Sequence, residues 1–413
     1  MKKQLLIIAT LDTKGKETAF IKDCVQGLGV HPVLMDVGTQ GAPLTPPDIT
    51  CEEVVSAAGY RMADLAQKDR SAAVKAVQEG GAILATRLYT EGKLDGVFGM
   101  GGGTGTAIVT HIMRALPFGL PKLVLSTVAS RDIREYVGTK DIVMFHSVAD
   151  ILGLNDFMRL IFSQAAHAIC GMIERGSRLS QKRPMVAVTA YGINSICAFH
   201  AEPLLLERGY EMIAFHANGC GGMAMEELIA QGLIAGVLDF TLHEIADEMF
   251  GGYCKGIGPT RLETAGKMGI PQVVVPGGLD NAVFSPYYPM PDQLKGRRIH
   301  SHDIRFCVRM GPEEMRRFAK IVGEKLNKSK GPTWVLIPNG GWSEADKLGM
   351  ELFDPETNRI FSEELKQKIS PDIPLEEMDL HISDPGFAKR AVQILDMMIQ
   401  KSKGQTQNLG GRV

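Results

Sequence analysis

The sequence predicts an α/β protein made of two Rossmann-like, doubly wound domains with largely parallel sheets. Short continuous apolar runs alternate with segments of helical periodicity, and this alternation restarts in the second half after a polar segment. Each half also carries a glycine-rich turn between a strand and a helix. The 413 residues allow two or three domains at about 150 residues each. We place a nucleotide-binding domain at 1–180, a second α/β domain at 184–402 and a flexible tail at 403–413.

In the first half, a buried strand at 5–9 is followed by a polar turn at 10–15 and by an amphipathic helix whose stripe runs from Phe20 to Leu28. The next strand, at 30–37, completes a βαβ unit, which builds a parallel sheet. A Gly- and Pro-rich excursion follows at 38–50. The same reasoning predicts a helix at 71–91, a strand at 94–100, a helix at 107–116, a strand at 123–127 and a long helix at 154–175. Polar residues 176–184 mark the domain boundary.

The second half repeats this order. A strand at 185–190 and its turn lead into a helix that ends near Arg208, and a strand follows at 211–216. Residues 218–222 form a glycine-rich turn before a helix at 223–230 and a strand at 236–240. Residue identity between the halves is low, so the repeat is one of architecture.

Composition excludes several classes of protein. Lys+Arg 45 against Asp+Glu 47 gives a net charge of −2, which argues against a dedicated nucleic-acid binder. With 45% apolar and 22% charged residues the chain is not disordered, and no apolar run reaches the ~18–20 residues that span a bilayer. The 7 cysteines are scattered without a C-x-x-C pair, so they fit neither a zinc motif nor a disulfide framework. We expect a cytoplasmic protein without a metal site of its own.

The strongest chemical signal is a glycine loop that lies between a buried strand and a helix. Bare glycines let the backbone approach an anion, and a helix N-terminus adds unpaired N–H donors. The loop lacks the lysine of a P-loop and the third glycine of the dinucleotide motif, and the alternative is a tight turn that needs small residues for packing. The residues expected to bind phosphate are Gly101, Gly102, Gly103, Thr104, Gly105 and Thr106.

Other strand ends of the first sheet are expected beside this loop. Lys14 would offset phosphate charge, Asp12 would hold Mg²⁺ through water, and Asp36 would contact a ribose hydroxyl. The alternative for the turn at 10–15 is a solvated segment in which Asp12 caps a helix. The cofactor-binding set is completed by the hydroxyl residues Thr10, Thr13, Ser126 and Thr127.

Polar side chains also follow strands of the second half. His243 and Glu244 are candidates for acid–base catalysis, although a hydrogen-bonded surface histidine is the alternative. Asp247 stands where a zincin motif needs its second histidine, and Ala345 stands where a serine-hydrolase elbow needs glycine. His302 is a further catalytic candidate. The residues expected to bind a substrate are Asn194, Asn218, Asp280, Asn281 and Ser343.

Three segments, at 8–15, 36–38 and 99–106, resemble the ATP-binding N-terminal domain of the tomato mosaic virus resistance protein, whose stand-alone bacterial and archaeal relatives form an uncharacterised protein family. The resemblance covers about residues 1–400. It implies two Rossmann-like domains, ATP with Mg²⁺ in the first, a homodimer and a separate TIM-barrel-like enzyme as partner. The segment 301–309 departs from the family pattern with Asp303 in place of asparagine, which weakens a role for His302.

Three functions remain open at this point. The sequence favours a protein that binds ATP and Mg²⁺ and acts as an ATP-dependent enzyme on a small oxygen-rich metabolite. A nucleotide-dependent regulatory module for a TIM-barrel-like partner enzyme is the second function. An ATP-independent isomerase or hydrolase of small acids is the third. The sequence therefore does not decide whether the chain is an enzyme.

Overall fold

The structure is a computed structural model that describes residues 2–65, 69–176 and 182–410, with side chains as far as residue 404. The chain forms two compact units, Met1–Ser180 and Gln181–Val413. The predicted boundary segment 176–184 lies for the most part outside the described residues. Each unit is an α/β domain with a parallel sheet, so the predicted fold class is confirmed.

The first unit follows the predicted alternation of strands and helices. Its elements are β1 Gln4–Ala9, α1 Leu11–Gly27, β2 His31–Asp36, α2 Cys51–Ala57, α3 Met62–Leu65, α4 Arg70–Thr90, β3 Gly96–Gly101, α5 Gly103–Arg114, β4 Lys122–Ser126, α6 Arg134–Val137, β5 Val143–His146 and α7 Asp156–Arg175.

The order of strands in the first sheet is β2-β1-β3-β4-β5, and every pair is parallel. Alternate residues of β1 face opposite sides of the sheet. Leu5 and Ile7 pack with α1 and α7, whereas Leu6 and Ile8 pack with α2, α4 and α5. The chain therefore changes sides between β1 and β3. In doubly wound sheets, ligands bind at the carboxyl ends of the strands that flank such a switch point.

The second unit contains a larger sheet of the same kind. Its elements are β6 Met185–Ala190, α8 Ser195–Glu207, β7 Glu211–His216, α9 Gly221–Ala230, β8 Ile234–Asp239, α10 His243–Phe250, α11 Thr264–Lys267, β9 Gln272–Val274, β10 Asn281–Phe284, a 3₁₀ helix Asp292–Leu294, β11 Ile299–Ser301, β12 Phe306–Arg309, α12 Pro312–Leu326, β13 Thr333–Pro338, α13 Pro355–Lys368, β14 Leu375–Met378 and α14 Pro385–Gly410.

The order of strands in this second sheet is β14-β13-β9-β8-β6-β7, again with parallel pairs, so its switch point lies between β6 and β8. The two units thus share one winding pattern, as the sequence predicts. A small antiparallel sheet, β10-β12-β11, is an addition that the sequence does not predict. It packs into a core that also contains Trp342, which contacts Phe361 edge to face at 5.3 Å.

Three element boundaries differ from the sequence prediction. The predicted turn at 10–15 is helical, because α1 begins at Leu11, where the buried carboxylate of Asp36 accepts the Leu11 N–H at 3.0 Å. Helix α5 begins at Gly103 rather than at Ala107, so the last four residues of the predicted loop, 103–106, form its first turn. Helix α14 extends through the predicted flexible tail as far as Gly410. In each case the helix includes glycines or polar residues that have a low helix propensity.

Candidate functional sites at the carboxyl edges of the two sheets

The glycine loop contains two kinds of glycine. A Cβ on Gly99 would lie 2.0 Å from Val109 Cγ1, and one on Gly101 would lie 2.7 Å from Gly105 Cα, so packing requires these two residues. A Cβ on Gly102 would come no closer than 3.7 Å to Thr127 Oγ1, and one on Gly103 would meet nothing within 4 Å. Packing therefore does not explain Gly102 and Gly103, which leave the backbone open to a ligand.

Helix α5 starts in this open space. Gly102 is its N-cap and provides no side-chain hydrogen bond, and both Gly103 and Thr104 are exposed. The first N–H groups of a helix have no partner inside the helix, and they carry a partial positive charge. The end of α5 is therefore suited to bind an anion.

Thr106 and Ser126, two of the hydroxyl residues predicted to bind the cofactor, are within hydrogen-bond distance of each other. Thr106 Oγ1 and Ser126 Oγ are buried and lie 2.7 Å apart, and the Val128 N–H donates to Ser126 Oγ at 3.1 Å. These bonds join the start of α5 to the end of β4. The half-buried Thr127, whose N–H donates to the Gly101 carbonyl at 3.3 Å, places its hydroxyl nearer to the open glycines.

The turn after β1 adds polar groups at the switch point. The hydroxyls of Thr10 and Thr13 lie 2.9 Å apart, and Thr13 is exposed. Lys14 leaves helical geometry at φ −121° and ψ 15°, and its ammonium donates to the Ile151 carbonyl. The amine is therefore held by the segment that follows β5, which sequence reasoning did not anticipate.

Asp36 holds two loops together. It is buried, and its Oδ1 accepts the Leu11 N–H at 3.0 Å and the Gly38 N–H at 2.8 Å. Burial raises the pKa of this carboxyl, while the bonds from Gly38 and Leu11 oppose the increase. The half-buried Asp12 accepts the Gln40 N–H at 2.9 Å, and a Cβ on Gly38 would lie 2.6 Å from its carboxyl carbon. The ribose contact that we assigned to Asp36 remains a prediction.

A cavity of about 440 Å³ lies at the end of this sheet opposite to the glycine loop. Its lining includes Pro121, whose carbonyl accepts the Val97 N–H, and also Asp141 and Arg175. This position is at the amino ends of β3 and β4, away from the glycine loop.

In the second unit, the carboxyl end of β8 leads into a buried ionic network. Arg261 is fully buried, and its guanidinium bonds both oxygens of Asp239, at 2.5 and 2.8 Å, and Glu244 Oε2 at 2.9 Å. Glu226 Oε1 lies 3.9 Å from Arg261 Nη1. Burial lowers the pKa of Arg261, but Asp239 and then Glu244 outweigh it, so the pKa lies above its ordinary value. The arginine therefore remains charged and offsets part of the negative charge of these carboxylates.

The network also fixes the second glycine turn. Glu244 Oε1 accepts the Gly219 N–H at 2.7 Å, and a Cβ on Gly222 would lie 2.4 Å from Glu244 Oε2. Asn218 Oδ1 lies 3.4 Å from the Gly221 N–H, within the same turn. Glu244 thus accepts hydrogen bonds from the Arg261 guanidinium and from the Gly219 N–H. This arrangement favours a structural role for Glu244 over acid–base chemistry.

His243, the first residue of α10, has a different environment. It is fully buried, and neither ring nitrogen has a hydrogen-bond partner among the described residues. Its ring stacks on Tyr191 at 4.2 Å, and Tyr191 also stacks on the exposed His216 at 5.2 Å. Burial lowers the pKa of His243 to about 3, with a smaller contribution from His216. The imidazole is therefore neutral, so one of its two nitrogens has an available electron pair and the other carries the proton.

Apart from Asn218, which lies in the glycine turn, the predicted substrate residues fall into two groups. Asn194 Oδ1 accepts from Thr241 Oγ1 at 2.8 Å and so connects the ends of β6 and β8. Asp280 Oδ2 accepts from Ser343 Oγ and from Asn281 Nδ2, both at 2.8 Å. One buried cluster thus contains Asp280, Asn281 and Ser343. All three are predicted from the sequence to lie at strand ends. His302 lies in the exposed hairpin turn between β11 and β12, and no contact between described residues joins it to His243 or Glu244.

The cluster around Asp280 also contains a titrating acid. Asp346 Oδ1 lies 3.6 Å from the Arg309 guanidinium, and Asp346 Oδ2 accepts from Asn358 Nδ2 at 2.6 Å. Burial, followed by the charge of Asp280, raises the pKa of Asp346 to about 7. Sequence reasoning gave no site role to Arg309, although this residue ends the segment 301–309 that was compared with the family pattern. It missed Asp346, which belongs to no recognisable motif.

We expect Asp346→Asn to flatten the pH dependence of stability of this unit. Between about pH 4 and about pH 7 the folded state holds the Asp346 proton that the unfolded state has lost, so the free energy of unfolding falls as pH rises. The variant removes this contribution. Urea unfolding followed by tryptophan fluorescence measures the slope, since both tryptophans, Trp334 and Trp342, lie in this unit. The exposed Asp372→Asn should leave the slope unchanged, and an unchanged slope in Asp346→Asn would contradict the assignment.

Comparisons with known proteins identify the family. The model of the N-terminal domain of the uncharacterised protein family UPF0261 matches residues 3–178, and the model of its C-terminal domain matches residues 183–399. The chain belongs to this family. A UPF0261 protein of Clostridium tetani (strain Massachusetts / E88) is 39% identical over 405 residues, which is 97% of this chain and 100% of that protein.

Another relative confirms the resemblance that the sequence motifs indicate. The ToMV resistance protein Tm-1(GCR237) of Solanum lycopersicum is 34% identical over 322 residues, which is 76% of this chain and 43% of the tomato protein. A solved structure, the UDP-GlcNAc 2-epimerase of Neisseria meningitidis bound to UDP-GlcNAc, is 11% identical and covers 66% of this chain and 82% of its own, with a TM-score of 0.22. That score is too low to support an argument about function. Among the described residues, no helix has both the length and the apolar character to cross a membrane.

Proposed function

We propose that the first unit binds ATP with Mg²⁺, with the phosphates held at the carboxyl ends of β1 and β3. The observation that carries this proposal is the pair Gly102 and Gly103, whose missing side chains leave open space in front of an uncapped helix of 12 residues. Triphosphate oxygens are the ligand type for which bare amides and a helix N-terminus are suited. The resemblance to an ATP-binding domain favours adenosine as the nucleoside.

The residues around the loop fit such a ligand. Thr104 and Thr127 offer hydroxyls, and Thr10 and Thr13 lie at the neighbouring strand end. Asp12 is the half-buried carboxylate that would hold Mg²⁺, since an ionised carboxylate has about four acceptor sites and Gln40 uses one oxygen of Asp12. When bound, Mg²⁺ offsets phosphate charge, while the chain orients the phosphates and donates hydrogen bonds to them.

The test is the double substitution Gly102→Val with Gly103→Val. The fold has room for both side chains, yet they would occupy the space assigned to phosphate. Titration calorimetry of the full chain with ATP and Mg²⁺ should show affinity reduced by at least about a hundredfold, or about 2.7 kcal/mol, while circular dichroism stays native.

Matched controls separate binding from packing. Gly27→Val places a side chain in open space at the far end of α1, so it should bind like the wild type. Gly99→Ala should disturb the fold itself, because of the contact with Val109. Full affinity in the double variant would refute the proposal and would direct attention to the cavity beside Pro121.

Assays of turnover and association alongside the calorimetry distinguish an ATP-dependent enzyme from a regulatory module. Turnover of ATP with a small oxygen-rich metabolite supports an ATP-dependent enzyme. Binding without turnover, accompanied by ATP-dependent dimerisation or by association with a TIM-barrel-like enzyme, supports a regulatory module. Binding of inorganic triphosphate but not of ATP would show that the loop is an anion site and would overturn the nucleotide proposal.

A further inference from the structure

Helix α10 presents two potential ligands on one face at the carboxyl end of β8. His243 and Asp247 are four residues apart, so their side chains lie one turn apart on the same side of the helix. His243 Nδ1 lies 3.9 Å from Asp247 Oδ1, and both side chains are fully buried. The unpartnered nitrogens of His243 therefore lie next to a carboxylate that the nucleotide proposal does not use.

The chain then folds back to bring a thiol to the same place. Gly251 ends α10 in the left-handed conformation, with φ 69°, and a Cβ on Gly252 would lie only 2.7 Å from Asp247 Cγ. This close approach places the Cys254 N–H 2.6 Å from Asp247 Oδ2, and Cys254 is fully buried. The tight turn thus positions Cys254 against the helix face.

The three side chains converge as a ligand set. One donor atom from each of His243, Asp247 and Cys254 lies within 4.8 Å of the others. The Val283 N–H donates to Asp247 Oδ1 at 2.7 Å, the kind of supporting bond that orients a metal-binding carboxylate. Imidazole nitrogen, carboxylate oxygen and thiolate sulfur together suit Zn²⁺ and similar divalent transition metals rather than Mg²⁺ or Ca²⁺. We propose that His243, Asp247 and Cys254 bind one such cation.

The surroundings indicate what the cation could do. The cluster lies at the switch point between β6 and β8, where doubly wound sheets bind ligands. Tyr191, the residue after β6, stacks on His243 and shares a buried apolar cluster with Cys254. Three protein ligands leave a fourth position for an oxygen ligand, as in catalytic zinc sites. This inference concerns the second unit alone and does not rest on nucleotide binding in the first.

Cobalt provides a direct test, because a thiolate bound to Co²⁺ gives a near-ultraviolet charge-transfer band. The full chain, first stripped with a chelator, should take up one Co²⁺ per chain with this band, and Zn²⁺ should displace it. Cys254→Ala should lack the band. His243→Phe, which keeps a ring against Tyr191, should weaken binding by at least about a hundredfold, since even supporting-shell changes cost 10- to 100-fold.

Controls address folding and adventitious binding. Cys307→Ala removes another buried thiol of the same apolar cluster and should retain both the band and the affinity. If Cys254→Ala fails to fold by circular dichroism, Asp247→Asn and His243→Phe carry the test. A wild-type chain without the band, or variants that bind Co²⁺ like the wild type, would overturn the proposal. The Gly102→Val, Gly103→Val variant should bind Co²⁺ normally, so the two proposals fail separately.

Discussion

Replacing Arg261 with methionine is expected to destabilise the second unit by about 3–5 kcal/mol. The substitution keeps the length of the apolar stem but leaves Asp239 and Glu244 buried without their counter-charge. It also removes the donor that the Thr241 carbonyl accepts from at 2.9 Å. Because Glu244 holds the turn at 219–222, that turn should lose order as well.

Urea unfolding followed by tryptophan fluorescence measures this loss. Arg359→Met is the matched control, since Arg359 forms an ion pair with Glu356 in which both side chains are at least 60% exposed. Such surface pairs contribute about 0–1 kcal/mol. A deficit no larger than that of Arg359→Met would contradict the charge-neutralising role of Arg261.

Asp36→Ala is expected to destabilise the first unit and to abolish nucleotide binding together. The substitution leaves the buried N–H groups of Leu11 and Gly38 without an acceptor, at about 1–3 kcal/mol each, or about 2–6 kcal/mol in total. The two groups belong to the loops that follow β1 and β2. Both loops should therefore move away from the switch point. Amide hydrogen exchange in β1 and α1, together with calorimetry with ATP and Mg²⁺, measures the two effects.

Asp36→Asn separates the two roles of this side chain. Its amide oxygen can still accept both N–H groups, so most of the stability should return, and removing the charge also removes the cost of burying it. Exposed Asp23→Ala, on α1, should change stability by no more than about 0.5 kcal/mol. If Asp36→Ala stays as stable as the wild type but binds ATP weakly, Asp36 contacts the ligand directly rather than holding the loops.

Local patterns were sufficient to predict much of the fold. Apolar strand runs such as 5–9 and 185–190, each followed by helical periodicity, predict parallel sheets, because a right-handed crossover is the usual way to connect parallel strands. The glycine loop was also recognisable, since five glycines in the stretch 99–105 exceed what a tight turn needs. The structure shows that packing requires Gly99 and Gly101, whereas Gly102 and Gly103 face open space. That division depends on Val109 and Thr127, which only the folded chain brings near.

The sequence by itself determined the alternation of strands and helices at 5–127 and 185–240, the family of the chain and the place of the glycine loop, because each of these depends on residues close together in the chain. Only the tertiary structure decided that Arg261 forms buried ion pairs with Asp239 and Glu244, that Asp36 joins two loops, and that Cys254 lies beside His243 and Asp247. These contacts join residues from different elements, or depend on a turn such as 251–254 that has no signature of its own. Burial then gives such contacts their strength, since a charge or a lone pair removed from water must find its partner within the protein.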